Sequence, residues 1–388
     1  MTFLDWYLQY CGESEVPKRW HHWACLSLIG AAVADRVVVD RGGSTYLAPN
    51  LYVFLIGPSG SGKEYAISKA TNLAKDILTF NIHSGEITTR GIYNFLSQLD
   101  EHKNFKNTKC WLIMEELAQS ISLKEEGRRV IRLLTKLYGR DVLPLDNTTG
   151  KWKHVSIPSP CVNALIGTTK EWLFDTVSKT DIYSGYFARI QSVVDQRNYT
   201  NLHPTITRPL YYHQIQTYLK WRLEWYTTLK AIVSIHPLAR EWHDRWYRGS
   251  KPPDDELLIP HYNRRDELLH KIALILVISR TDPERYQVGE TLCIQLEDYT
   301  MADVIIRDVQ KDITVILDQC GQGGLIAHVE LVGRLIRRYH TIAHRDLLQR
   351  VSSRGVSAQV LRQVIEHLEQ EEKIQTVDFR PTKYQWIG

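Results

Sequence analysis

The run Gly57-Pro58-Ser59-Gly60-Ser61-Gly62-Lys63 constrains this chain more than any other feature, because it satisfies GxxxxGK between a strand-like and a helix-like pattern. Before it, Leu51-Tyr52-Val53-Phe54-Leu55-Ile56 is continuously apolar, as in a strand buried on both faces of a parallel sheet. After it, Ala66, Ile67, Ala70, Leu73 and Ala74 recur at helical spacing. Glycines at such a junction let successive backbone N–H groups curl around phosphates. The helix N-terminus adds its positive dipole end, and a lysine ammonium bridges the outer phosphates. The pattern predicts that residues 57–63 hold a nucleoside triphosphate, ATP, together with Mg2+.

Further apolar runs cover Cys110 to Met114, Val162 to Ile166 and Ala188 to Val194, the outline of buried parallel strands in an α/β core. Acids at the end of the next strong strand suit a magnesium site, and Met114 is followed by Glu115 and Glu116. Glu115 is expected to hold the metal or its water, and Glu116 to polarise the attacking water at the γ-phosphate. Two acids that simply favour a helix N-terminus are the alternative. Thr168, closing the following strand, is placed to contact the γ-phosphate or the lytic water, although a hydroxyl there also suits a helix cap. Arg189 is either a surface residue or, in a ring of subunits, an arginine finger reaching a neighbour's γ-phosphate. Glu64 stands where Ser or Thr is common. Its carboxylate is read as an oxygen ligand for Mg2+, against the plainer role of favouring the helix N-terminus.

The formal net charge of +4 does not diagnose a nucleic-acid binder. Its distribution says more. Between residues 331 and 362 lie arginines 334, 337, 338, 345, 350, 354 and 362 against a single acid, Asp346. Residues 325–371 read as three helices and 374–387 as two short strands, the outline of a winged helix, with Arg354, Arg362, Arg380 and Lys383 as candidate DNA contacts. A turn-rich segment resembling a hairpin tip carries Lys151, Trp152, Lys153 and His154. Lysines there suit a phosphate backbone and a tryptophan suits stacking on a base, while an exposed loop without function fits the composition equally.

At 388 residues the chain is expected to divide. The expected parts are a helical segment at 1–44, the P-loop core at 45–205, a helical domain or lid at 206–320 and a winged helix at 321–388. No apolar run approaches the length of a membrane span, no basic leader opens the chain, and the six cysteines lack metal or redox spacing. Those features predict a soluble, cytoplasmic protein with buried thiols and no membrane partner.

Several short stretches together resemble the YfjI-like ATPases of phages, prophages and plasmids. They are Trp20-His21-His22-Trp23, Pro49-Asn50-Leu51-Tyr52, the nucleotide loop with Glu64, Leu112-Ile113-Met114-Glu115-Glu116, Leu134-Thr135-Lys136-Leu137-Tyr138, Gly167-Thr168-Thr169-Lys170-Glu171-Trp172 and Leu269-His270-Lys271-Ile272-Ala273. The resemblance covers roughly residues 1–280. It implies a RecA-like or AAA+-like P-loop core, akin to superfamily III ring motors, in a replicative or primase-associated helicase. It also implies Lys63 for the triphosphate, Glu115 and Glu116 for metal and water, Thr168 as a sensor and Arg189 as the finger. Glu64 and Glu115 depart from the family's usual hydroxyl and aspartate.

The leading expectation is an ATP-driven DNA helicase or translocase acting as a homo-hexameric ring, with any primase or polymerase on a separate chain. A nucleotide-gated DNA-binding protein, such as an origin binder, loader or regulator, is the second. A degenerate ATPase whose loop is structural is the third.

Overall fold

The computed structural model describes the chain except for residues 43–45, 79–80, 84–87, 100, 103, 106–107, 116–123, 141–142, 146–154, 177–184, 186, 198–207, 254–257, 288–290, 321–322, 353–355, 380–381 and 388. Glu116, Lys151, Trp152, Lys153, His154, Arg354 and Arg380 therefore lie outside the described residues. Two compact units emerge, one of 1–176 with 180–315 and one of 316–388 with 177–179. The first three segments expected from the sequence fall in the first unit, apart from 177–179 and 316–320. The division lies inside the helix Leu296–Cys320.

Thr2 starts the first helix, Phe3–Cys11, by exchanging hydrogen bonds with Asp5. The second helix, Lys18–Val33, is buried from Trp20 onward apart from His22. A helix apolar on every side must lie between other elements. This one packs against the central parallel sheet and the helix Lys63–Ala74. The expected N-terminal segment is thus a layer of the first unit's core.

Apolar spacing predicts helix up to a break at Asp40–Ser44, and here the structure differs. After Ala34 the chain forms strands β1 (Val37–Asp40) and β2 (Tyr46–Leu47). Three consecutive valines are too short a run for periodicity to decide, and their branched side chains favour extended backbone. The central strands are β3 (Tyr52–Ile56), β4 (Asn81–His83), β5 (Lys109–Met114), β8 (Cys161–Thr168) and β9 (Ile190–Val194); the short strands β6 (Leu143–Leu145) and β7 (Val155–Ile157) pair antiparallel outside that sheet. β6 and β7 flank the segment read as a hairpin tip.

The central sheet has the order β4-β5-β8-β3-β9, and every neighbouring pair is parallel. β3 and β8 are buried at every position, which explains why both read as unbroken apolar runs. A second sheet, β11-β10-β1-β2, uses β10 (Ala231–Ile235) and β11 (Cys293–Ile294). β10 interrupts the segment 206–320 expected to be helical, between the helices Tyr212–Thr228 and Pro237–Gly249. The helices Ile259–Arg280 and Leu296–Cys320 follow. Cys11, Cys25, Cys110 and Cys161 are free buried thiols, and Cys293 is free and partly exposed. Among the described residues no helix is long and apolar enough to cross a membrane.

The second unit contains helices Gly323–Tyr339, His344–Ser352 and Ala358–Gln370 with a sheet of order β12-β14-β13, where β12 is Thr341–Ala343, β13 is Ile374–Phe379 and β14 is Thr382–Trp386. β12 joins the ribbon that the sequence outlined. Val332, Ile336, Leu347, Val351, Leu361, Val364 and Leu368 form its core with Ile374 and Tyr384. Leu361 is fully buried there, so Leu361→Ala should destabilise this unit by about 3 kcal/mol through lost burial and a cavity. Hydrogen exchange resolved by segment checks it: amides of 358–370 should lose protection while those of β3 and β8 keep theirs.

Candidate functional site

All five central strands point the same way, so one edge of the sheet collects their C-terminal ends. The glycine-rich loop leaves β3 at that edge. Gly62 takes a left-handed conformation (φ 94°) and leads directly into the helix Lys63–Ala74. An added Cβ on Gly62 would fall 2.6 Å from Val16 Cγ2, so both backbone geometry and close packing favour glycine. Pro58, Ser59 and Gly60 are exposed at the tip, whereas Ser61 and Lys63 are buried. The Lys63 ammonium donates to Gly57 O at 2.8 Å and Pro58 O at 2.7 Å, with Ser61 Oγ at 3.4 Å. Its charge is therefore held inside the loop. Glu64, the second residue of the helix, is exposed.

β8 lies between β3 and β5, which brings the other candidates to the same edge. Ile56 pairs with Thr168, and Gly57 N–H donates to Thr168 O at 3.2 Å. The Thr168 side chain is fully buried, its hydroxyl 3.4 Å from Thr169 O. Met114 pairs with Ile166, so Glu115 follows beside Gly167 and is exposed. Lys63, Thr168 and Glu115 thus share one edge of three adjacent strands.

Arg189 does not join them. It ends the 3-10 turn Phe187–Arg189 before β9, and Ile190 pairs with Tyr52 at the start of β3. The distance along β3 to Ile56 is roughly 13 Å at about 3.3 Å per residue. Arg189 donates to Gly185 O and its guanidinium lies 5.9 Å from the Tyr138 ring. Burial lowers its pKa, and the neighbouring Arg264 charge acts in the same sense. Of the basic candidates in the second unit, Arg362 is exposed on the helix Ala358–Gln370 and Lys383 lies partly exposed on β14.

The sequence reading overlooked the N-terminal contribution to the loop's surroundings. The Trp20 indole lies against Gly57, and its Nε1–H donates to Val193 O at 3.1 Å. Arg19 donates to Asp308, to Asp312 and to Val194 O, tying Lys18–Val33 to the end of β9 and to Leu296–Cys320. A cleft of about 660 Å³ is lined by Leu8, Gln9, Gly12, Lys18, His21 and Arg208 among others, with no residue of the loop or its helix among them. The buried His21 ring meets Tyr65, two residues after Lys63, edge-on at 5.9 Å. Burial lowers the pKa of His21 to about 4, which leaves the imidazole neutral near pH 7. Lys69 from the same helix lies over the rings of Tyr10, Tyr65 and Tyr212. The available signal was the Trp20-His21-His22-Trp23 cluster, part of the family resemblance, whose aromatic residues fit ordinary core packing equally well.

A scan against protein-family models matches none, and a search of the curated proteins finds no match.

Proposed function

We propose that this chain is a P-loop ATPase that uses ATP and Mg2+ to move along or unwind DNA. The observation that carries the ATPase reading is the convergence of Lys63, Thr168 and Glu115 at one edge of β3, β8 and β5. A buried ammonium inside a glycine-rich loop at a helix N-terminus suits the β- and γ-phosphates. Glu64, next to Lys63 on the loop helix, and Glu115, just after β5, are exposed carboxylates, hard oxygen donors of the type Mg2+ accepts, so the donor chemistry fits that ion. When bound, Mg2+ neutralises phosphate charge and helps orient the phosphoryl group for in-line attack. Lys63 would hold the outer phosphates, and Thr168 would read the γ-phosphate. The general base is assigned by sequence alone to Glu116.

The nucleoside is assigned to the cleft lined by Leu8, His21 and Arg208, because its His21 meets Tyr65 of the loop helix. Leu8→Trp should fill it and weaken ATP binding about tenfold, while binding of inorganic tripolyphosphate stays unchanged. Calorimetric titration with both ligands checks this, and equal losses for the two would remove the cleft from the reading.

Action on DNA rests on the resemblance to YfjI-like ATPases and on the exposed arginines of the three-helix C-terminal unit. A homo-hexameric ring is the arrangement that would give Arg189 a phosphate to contact, because the sheet separates it from its own chain's loop. For duplex DNA, replacing Arg362 and Lys383 together by Ala should flatten the salt dependence of binding by up to about 1.8 log units per log unit of salt, at about 0.9 per phosphate contact. An unchanged slope would place the DNA contacts elsewhere. The exposed arginines favour DNA binding without requiring unwinding, so a nucleotide-gated binder is the second reading. A strand-displacement assay on forked DNA with ATP decides: unwinding supports the motor, and ATP-dependent binding without displacement supports the binder.

A further inference from the structure

We infer that His243, Asp266 and His270 form a binding site for a divalent transition-metal ion of the zinc class, separate from the nucleotide loop. Asp266 and His270 lie one turn apart on the helix Ile259–Arg280, and His243 faces them from the helix Pro237–Gly249. One donor atom from each residue lies within 4.8 Å of a donor atom of both others. His243 Nε2 is 2.6 Å from Asp266 Oδ1, and the two imidazole rings are 4.8 Å apart at 79°. Two imidazoles and one carboxylate are a three-ligand set that zinc accepts, leaving a position for water.

The surrounding groups are arranged as outer contacts of a metal site usually are. His270 Nδ1 donates to the backbone carbonyl of Asp266 at 2.9 Å and lies 3.5 Å from Asp266 Oδ1, so the tautomer is fixed and Nε2 is the ring nitrogen that carries a free lone pair. Arg41 pairs with Asp266 Oδ2, which orients the carboxylate and leaves Oδ1 toward His243. Arg41 also balances the carboxylate's charge, so the ion must be held chiefly by the imidazoles. That requirement favours zinc-class ions over Mg2+. Tyr299 stacks on His243 with ring centroids 5.6 Å apart and meets His270 at 5.5 Å. Its hydroxyl is buried with no hydrogen-bond partner among the described residues, a polar atom that water on the ion would satisfy. The His243 side chain keeps 18% exposure against 3% for His270, so ions enter from the His243 side. A bound ion would staple the two helices together.

The test uses the full chain stripped with a chelator and titrated with Co(II). One equivalent should bind with visible d–d absorption and be displaced by Zn(II), with Mg2+ in excess having no effect. His243→Ala should weaken binding about 100-fold or more, and Arg41→Ala about tenfold as an outer contact. Because a cavity variant can fail to fold, His243→Cys supplies the second arm: a thiolate-to-cobalt charge-transfer band should appear, which only direct ligation produces. Absence of saturable Co(II) binding, or equal binding in the parent and His243→Ala, would overturn the site and leave a hydrogen-bonded Asp–His network. Co(II) binding by His243→Cys without a charge-transfer band would overturn ligation by residue 243. None of these readouts depends on ATP or DNA.

Discussion

Lys63→Ala should lower ATP turnover by at least about 100-fold while the first unit stays folded. The ammonium is a buried charge inside the loop, and on the proposed ATPase reading its removal takes away a group at the phosphates, a loss of about 10² to 10³ in rate. The bonds it makes to Gly57, Pro58 and Ser61 are local to the loop, and β3 itself is secured by ladders to β8 and β9 on both sides. Far-UV circular dichroism and the urea midpoint should therefore stay near those of the parent. Turnover close to the parent rate in a folded Lys63→Ala protein would remove the loop from the chemistry.

Gly167→Ala should cost about 3 kcal/mol of stability and disturb catalysis as well. An added Cβ there would fall 2.2 Å from Glu115 O and 3.3 Å from Ile67 Cδ1. The first contact is with backbone, so no side-chain rotation relieves it. Either β5 and β8 part at their C-terminal ends or the Glu115 backbone shifts away from the loop. Gly249→Ala is the matched control, because nothing lies within 4 Å of its added Cβ. Urea unfolding followed in parallel should show a lowered midpoint for Gly167→Ala and little change for Gly249→Ala. Equal midpoints would mean that the strands yield there at little cost.

The parts of this site legible in the sequence are those encoded locally. The loop and its flanking strand and helix fit within 51–74, where an unbroken apolar run, glycines and helical spacing follow one another. Glu115 was legible because a buried strand ends visibly at Met114. The neighbours of each strand were not legible. Insertion of β8 between β3 and β5 joins residues more than forty positions apart, and no local pattern specifies such pairing. The helix Lys18–Val33 was legible from its apolar spacing, but burial on every side left no single face to name the sheet as its partner. β1 and β10 were hidden for a different reason, being four- and five-residue strands beside strongly helical segments. The His243, Asp266 and His270 cluster shows only an i,i+4 pair in sequence, a spacing common on any helix. Its third member comes from another helix.

Phosphate release by the unaltered chain, measured with ATP and Mg2+ in the presence and absence of single-stranded DNA, tests the central claim most directly. Release should require Mg2+, exceed that of a Lys63→Ala preparation at least about 100-fold, and rise when DNA is added. Release indistinguishable from the Lys63→Ala background, with and without DNA, would contradict the assignment of residues 57–63 as the phosphate-binding loop of a working ATPase.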